Sequence, residues 1–191
     1  SILLNASKEF YISHNSYLNT LIVIKYLLEY LFDECCYSLK TDDELLTKLN
    51  NYDEELLKHK SSILTLFENI ACVDFIYDSK SKFNAINSTL LLREGIELMT
   101  ACYSKNEYLH GEHLVEIPNK LLCLIGVDDT EDKYNEIMSK SHVTKQIILT
   151  PADETKVQVY DNKIKINILS DIKDLAEMIF FNQVVAWRME M

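Results

Sequence analysis

Glycine is scarce in this chain: only three occur in 191 residues, so each is expected to serve a close backbone approach or an unusual dihedral angle rather than fill a loop. Basic residues are outnumbered, 19 Lys and Arg against 30 Asp and Glu, for a net charge of -11. A phosphate backbone is bound mainly through clustered Lys and Arg, so no nucleic-acid partner is expected. No apolar run reaches the roughly 18 residues of a membrane helix, and no basic stretch precedes a short apolar core at the start, so no membrane association is expected. The five cysteines (Cys35, Cys36, Cys72, Cys102 and Cys123) form no Cys-x-x-Cys. Three of them sit in apolar runs, where a reduced thiol behaves as a small hydrophobe, and a reducing cytoplasm fits this usage. Gly-x-Gly-x-x-Gly, Gly-x-x-x-x-Gly-Lys-Ser/Thr and Gly-x-Ser-x-Gly are all missing, so dinucleotide, P-loop and serine-hydrolase chemistry lose their usual support and no cofactor is expected. No internal repeat or low-complexity tract is visible.

What is present suits a globular α/β chain. At 48% hydrophobic over 191 residues there is enough apolar material for one well-packed core with an appended segment. Ser1–Asn5 reads as a strand cut off at its front. Leu18, Leu21, Ile22, Ile24, Leu28 and Leu31 predict a helix over 16–32 that is apolar on more than one face, hence buried between other elements. Thr41 with Glu44 makes a capping box that opens a charged helix to about Lys60, and a second follows over 62–69. From Cys72 strands and helices alternate. Strands are expected at 72–78, 121–127, 146–150, 157–160 and 163–168, with helices at 84–103, 131–140 and from Asp171 onward. Such spacing predicts a parallel sheet covered on both faces, with ligands at the carboxyl ends of its strands, after Tyr77, Gly126 and Thr150.

Two glycines fall in Leu91–Gly111, one directly after Glu94 and one directly after His110. Together the carboxylate and the imidazole suit general acid and base work near neutral pH, if both meet one ligand. Spacing alone favours the plainer reading, in which Glu94 pairs with Arg93 or Lys105 on a helix surface and His110 is a loop histidine. Glu107, His110, Glu112 and His113 raise a metal site as a rival. Their spacing is not His-Glu-x-x-His, and Gly111 interrupts any continuous helix through them, so no metal is expected. Cys102, Trp187 and the Phe180-Phe181 pair read as core.

Arg93-Glu94-Gly95, then Glu107, then His110-Gly111 sixteen residues after Glu94, then the apolar strand Leu121–Gly126: in this order and spacing the chain resembles the sugar isomerase (SIS) domain family. The stretch Glu9–Thr20 also looks like the segment that closes a first SIS domain, in the manner of isomerases related to the isomerase half of glucosamine-6-phosphate synthase. The resemblance implies a three-layer α/β/α sandwich with a flavodoxin-like parallel sheet preceded by linker helices, dimerisation, and binding of a phosphorylated sugar or amino sugar. It implies that Glu94 shuttles a proton between C1 and C2, and that His110, reaching into a partner subunit's site, assists ring opening. Ser13, Asn15 and Ser16 fall where the family's sugar-contacting turn lies.

Since family enzymes usually carry two SIS domains in tandem, the chain divides by resemblance into the end of a first domain (1–35), a helical linker (36–70) and a second SIS domain (71–191). Three family features are missing. The Ser-x-Ser-x-x-Thr phosphate loop, which the resemblance places in the first domain, is not found in these residues, the Gly-Arg-Gly-like turn is replaced by Asp78-Ser-Lys-Ser-Lys82, and the tail that carries a catalytic lysine in the synthase is expected to be missing. The chain is therefore expected to be the C-terminal half of a sugar-phosphate isomerase, deaminase or deglycase, incomplete by itself. A non-catalytic phosphosugar-binding or dimerisation module is the alternative.

Overall fold

A computed structural model describes residues 42–126, 136–137, 139–141 and 143–190. The strand predicted at 1–5, the helix at 16–32, the segment 1–35, and Ser13, Asn15 and Ser16 lie outside the described residues. In chain order the elements are α1 (Asp42–Lys58), α2 (Lys60–Leu66), β1 (Cys72–Tyr77), α3 (Lys82–Ile96), β2 (Met99–Ser104), α4 (Lys105–Leu109), β3 (Lys120–Ile125), β4 (Lys145–Ala152), β5 (Lys156–Tyr160), β6 (Lys163–Leu169) and α5 (Lys173–Met189).

Strands form where branched and apolar residues run together. All six residues of β3 are buried, as are all but the last of β1, the signature of strands covered on both faces. β6 instead alternates buried and half-buried residues. The six-stranded sheet has the order β2-β1-β3-β4-β6-β5, with β2, β1, β3, β4 and β6 parallel and β5 antiparallel to β6. This is a flavodoxin-like sheet extended at one edge by the hairpin that Asp161 and Asn162 turn.

One face, carrying Val73, Phe75, Leu121, Cys123, Ile125, Ile147 and Leu149, packs under α1, α2, α3 and α5. Tyr52, Leu56, Ile63, Phe67, Leu92, Phe180, Phe181 and Trp187 fill that layer. The rings of Phe75 and Phe181 meet edge to face at 5.1 Å. The other face packs Ile76, Leu122, Leu124 and Ile148 against Tyr108 and Ile137. The result is the three-layer α/β/α sandwich that the resemblance implies. α1 and α2 join the same core as the sheet, and Asp43, Glu44, Glu54 and Lys58 of α1 are exposed.

One expectation is corrected. The helix predicted over 84–103 ends at Ile96, and Met99–Ser104 is a strand. Glu97 takes the left-handed conformation (φ 55°, ψ 30°) and the Leu98 N–H donates to the Leu92 carbonyl at 3.3 Å, which turns the chain without a glycine. Gly95, read as conformationally special, lies inside α3.

Candidate functional site at the ends of the sheet

Glu94 sits in the last turn of α3, exposed. The helix starts beside the carboxyl end of β1, where the Asp78 carboxylate accepts from the Lys80 N–H at 3.4 Å and opens the turn Ser79–Ser81. It then runs back along the sheet, so its last turn reaches the amino end of β2. The Arg93 guanidinium donates to the Thr100 carbonyl there, at 2.8 Å.

β2 returns over six residues, about 17 Å at roughly 3.3 Å per residue, to Ser104. There a capping box starts α4: the Ser104 hydroxyl accepts from the Glu107 N–H at 3.3 Å, and the Glu107 carboxylate accepts from the Ser104 N–H at 2.7 Å. That bond from Ser104 holds the Glu107 carboxyl below its usual range. His110 closes α4, exposed, and Gly111 follows at φ 157°, ψ -26°, a region only glycine visits freely. Within one chain, then, Glu94 and His110 lie at opposite edges of the sheet and are not brought together.

At the carboxyl edge, between β1 and β3, the order of strands reverses and doubly wound sheets take ligands. Here the chain places a buried polar cluster that the sequence reading did not single out. Gly126 ends β3 at φ 65°, and a Cβ there would overlap the Ser81 hydroxyl and lie 3.1 Å from the Lys173 ammonium. Lys173 donates to the Ser81 Oγ at 2.6 Å and pairs with Glu177 at 3.2 Å. Ser81 donates to Glu177 at 3.1 Å, and Asn84 donates to it at 2.7 Å. Glu177 is fully buried, and burial pushes its carboxyl above the usual range although Lys173, Asn84 and Ser81 pull it down. A signal was there to find: Lys173 and Glu177 stand four apart at the start of a largely apolar helix, and the third glycine directly follows β3.

A second buried pair lies on the other face. Lys120 donates to Asp74 at 2.7 Å and to the Val115 carbonyl at 3.0 Å. Tyr103, nearby, is pushed up to about 12, by burial first and then by the charges of Asp74 and Glu112. Lys120 also borders a cleft of about 350 Å³ lined by His113, Val115, Ile117, Pro118 and Thr144. With both of its acceptors engaged, the Lys120 ammonium is a structural cation rather than an open ligand for an anion.

No family model matches this sequence, and no curated protein is similar to it in sequence. Solved structures are similar in fold. The C-terminal domain of glucosamine-fructose-6-phosphate aminotransferase from Francisella tularensis superposes with a TM-score of 0.60 at 16% identity, over 92% of this chain and 54% of that one. This chain thus spans about half the length of that relative. The sugar isomerase domain of an RpiR transcription factor from Sphaerobacter thermophilus matches at TM-score 0.57 and 12% identity, over 78% of this chain and 89% of that one. An Escherichia coli protein in complex with arabinose 5-phosphate matches at TM-score 0.56 and 12% identity, over 81% of this chain and 94% of that one. The strand order, the three layers and these superpositions agree that the chain carries the fold of the sugar isomerase domains.

Proposed function

We propose that this chain is the C-terminal SIS domain of a phosphosugar-processing enzyme of the isomerase, deaminase or deglycase type, acting in the cytoplasm on a phosphorylated sugar or amino sugar. The observation that carries the reading is the pairing, on an SIS fold, of Glu94-Gly95 at the end of a helix with His110-Gly111 sixteen residues on, both side chains exposed. In the isomerisation the Glu94 carboxylate takes the C2 proton of the open-chain aldose phosphate. The C2–H electrons form the C1=C2 bond and the carbonyl electrons move to O1, which takes a proton from water to give an enediol; Glu94 then returns its proton to C1 as the 2-hydroxyl gives up its proton to water and the carbonyl forms at C2. His110, supplied from a second subunit, moves the proton that opens the ring, and Ser13, Asn15 and Ser16 contact the sugar.

Replacing Glu94 by Gln removes the proton acceptor and nothing else of size, and general-base catalysis is worth roughly 10²–10⁴-fold. The test follows deuterium from heavy water into C1 and C2 of aldose and ketose phosphates with the full-length protein. A loss of that order in Glu94→Gln supports the role; unchanged turnover ends it.

A second reading, a module that binds phosphosugar without turning it over, is favoured by the cluster of Ser81, Lys173 and Glu177, which fills the carboxyl edge beside Gly126. Binding of phosphosugars by a protein with no exchange at C1 or C2 would select it.

A further inference from the structure

We propose that His113 is a positioning residue: it fixes the direction of His110 through a hydrogen bond from its imidazole to the Tyr108 carbonyl. The hydrogen bond is a feature of the fold; its bearing on turnover rests on the phosphosugar reading above.

On its N-terminal side His110 is held by the helix it closes. Its N–H donates to the Asn106 and Glu107 carbonyls, each at 3.1 Å. After it comes Gly111, where nothing lies within 4 Å of the place a Cβ would take. A glycine in open space has many conformations to choose from, and an exposed imidazole beside such a joint would be spread over many directions. A proton-transfer group needs a defined one, since reacting atoms must meet at about 3–3.5 Å and a misplacement of about 1 Å can cost roughly 10²-fold in rate.

His113 removes that freedom. Its ring folds back from the turn Glu112–Leu114, and Nδ1 stands 3.1 Å from the Tyr108 carbonyl oxygen. A carbonyl only accepts, so Nδ1 carries the proton, as it does both in one neutral tautomer and in the cation. The same oxygen accepts from the Gly111 N–H at 3.5 Å, and the Leu114 N–H donates to the Gly111 carbonyl at 2.9 Å. His110 and Gly111 are thereby enclosed in a loop closed at Tyr108. That anchor belongs to the core: Tyr108 is 1% exposed and packs with Ile76, Leu122, Leu124 and Ile148. Its ring also meets the half-buried His113 ring, at 6.3 Å and 53°. Further along, the Val115 carbonyl accepts from Lys120 at 3.0 Å, so the segment after His110 is tied down at both ends.

The test separates the hydrogen bond from the ring. His113→Asn puts an amide N–H where Nδ1 stood, His113→Gln puts one where Nε2 stood, and His113→Phe keeps a ring without a donor. In the full-length protein, kcat for aldose and ketose phosphates is expected to fall roughly a hundredfold in His113→Phe and His113→Gln, the cost of a group misplaced by about 1 Å, with KM unchanged. His113→Asn should recover most of that loss. Hydrogen exchange read by mass spectrometry needs no sugar. The peptide 109–115 is expected to exchange faster in the Phe and Gln variants than in the natural and Asn proteins, while peptides of β3 keep their protection. Equal exchange in all four proteins, or an unchanged kcat in His113→Phe, overturns the assignment. So does turnover as low in His113→Asn as in His113→Phe, which would make the His113 ring itself a reacting group. The expected exchange pattern in a protein that turns over no sugar phosphate rejects the enzymatic reading alone and leaves the hydrogen bond in its place.

Discussion

At the scale of single residues, the buried charges carry the sharpest expectations. Lys120→Met would leave the Asp74 carboxylate buried without its cation, and breaking a buried pair is expected to lose about 3–5 kcal/mol in urea unfolding. Combining it with Asp74→Leu should recover most of that loss, because neither charge then remains to be desolvated. Glu177 behaves differently, since burial raises its carboxyl in the folded chain above the ordinary 4.5. A group whose folded value is raised contributes stability below its unfolded value and loses it as the pH rises through the folded one. The stability of the natural chain relative to Glu177→Gln should therefore fall as the pH rises from about 4.5, measured by urea melts across a pH series. A flat difference would mean that burial does not shift this carboxyl. The sequence displayed these residues without displaying their roles. A Lys and a Glu four apart read as a solvated face until the fold closes Ser81, Asn84 and Gly126 over them.

At the scale of elements, the boundary between α3 and β2 shows what hydrophobic spacing can and cannot say. Leu92, Ile96, Met99 and Tyr103 follow in steps of four, three and four, a helical pattern. The strand wins at Met99–Ser104 because its backbone pairs with β1 all along its length, from Cys72 with Met99 to Tyr77 with Ser104. That partner is 27 residues away by the same register and invisible to any local window. The turn before it holds a non-glycine residue in the left-handed region, at Glu97, which costs roughly 1–2 kcal/mol in an L-residue. Glu97→Gly is accordingly expected to stabilise the chain by about 1 kcal/mol in thermal unfolding, the larger entropy of the unfolded glycine offsetting part of the relief. Strands β1 and β3, by contrast, were legible to within a residue or two, because a strand covered on both faces is a nearly continuous apolar run, broken here only by the paired Asp74 and Lys120.

At the scale of the whole molecule, no helix among the described residues is long and apolar enough to cross a membrane. A sugar phosphate selective for the native state should raise its unfolding free energy by about 2.7 kcal/mol at a hundred times its Kd. A thermal-shift series of aldose and ketose phosphates checks this, and the absence of any shift would count against both readings of function. The order of residues was enough for the class of fold, a mainly parallel sheet with helices on both faces. Alternating segments of fixed length leave few ways to bury their apolar sides, and the motif around Glu94 and His110 pointed to the sugar isomerase resemblance. Three dimensions were needed to learn that those two groups stand at opposite edges of the sheet, that the edge beside Gly126 is filled by Lys173, Ser81 and Glu177, and that Phe83, Ile86 and Leu90 are left facing outward. Distance along the chain says nothing about direction in space, and it is the reversal of α3 against β2 that sends sixteen residues from one end of the molecule to the other.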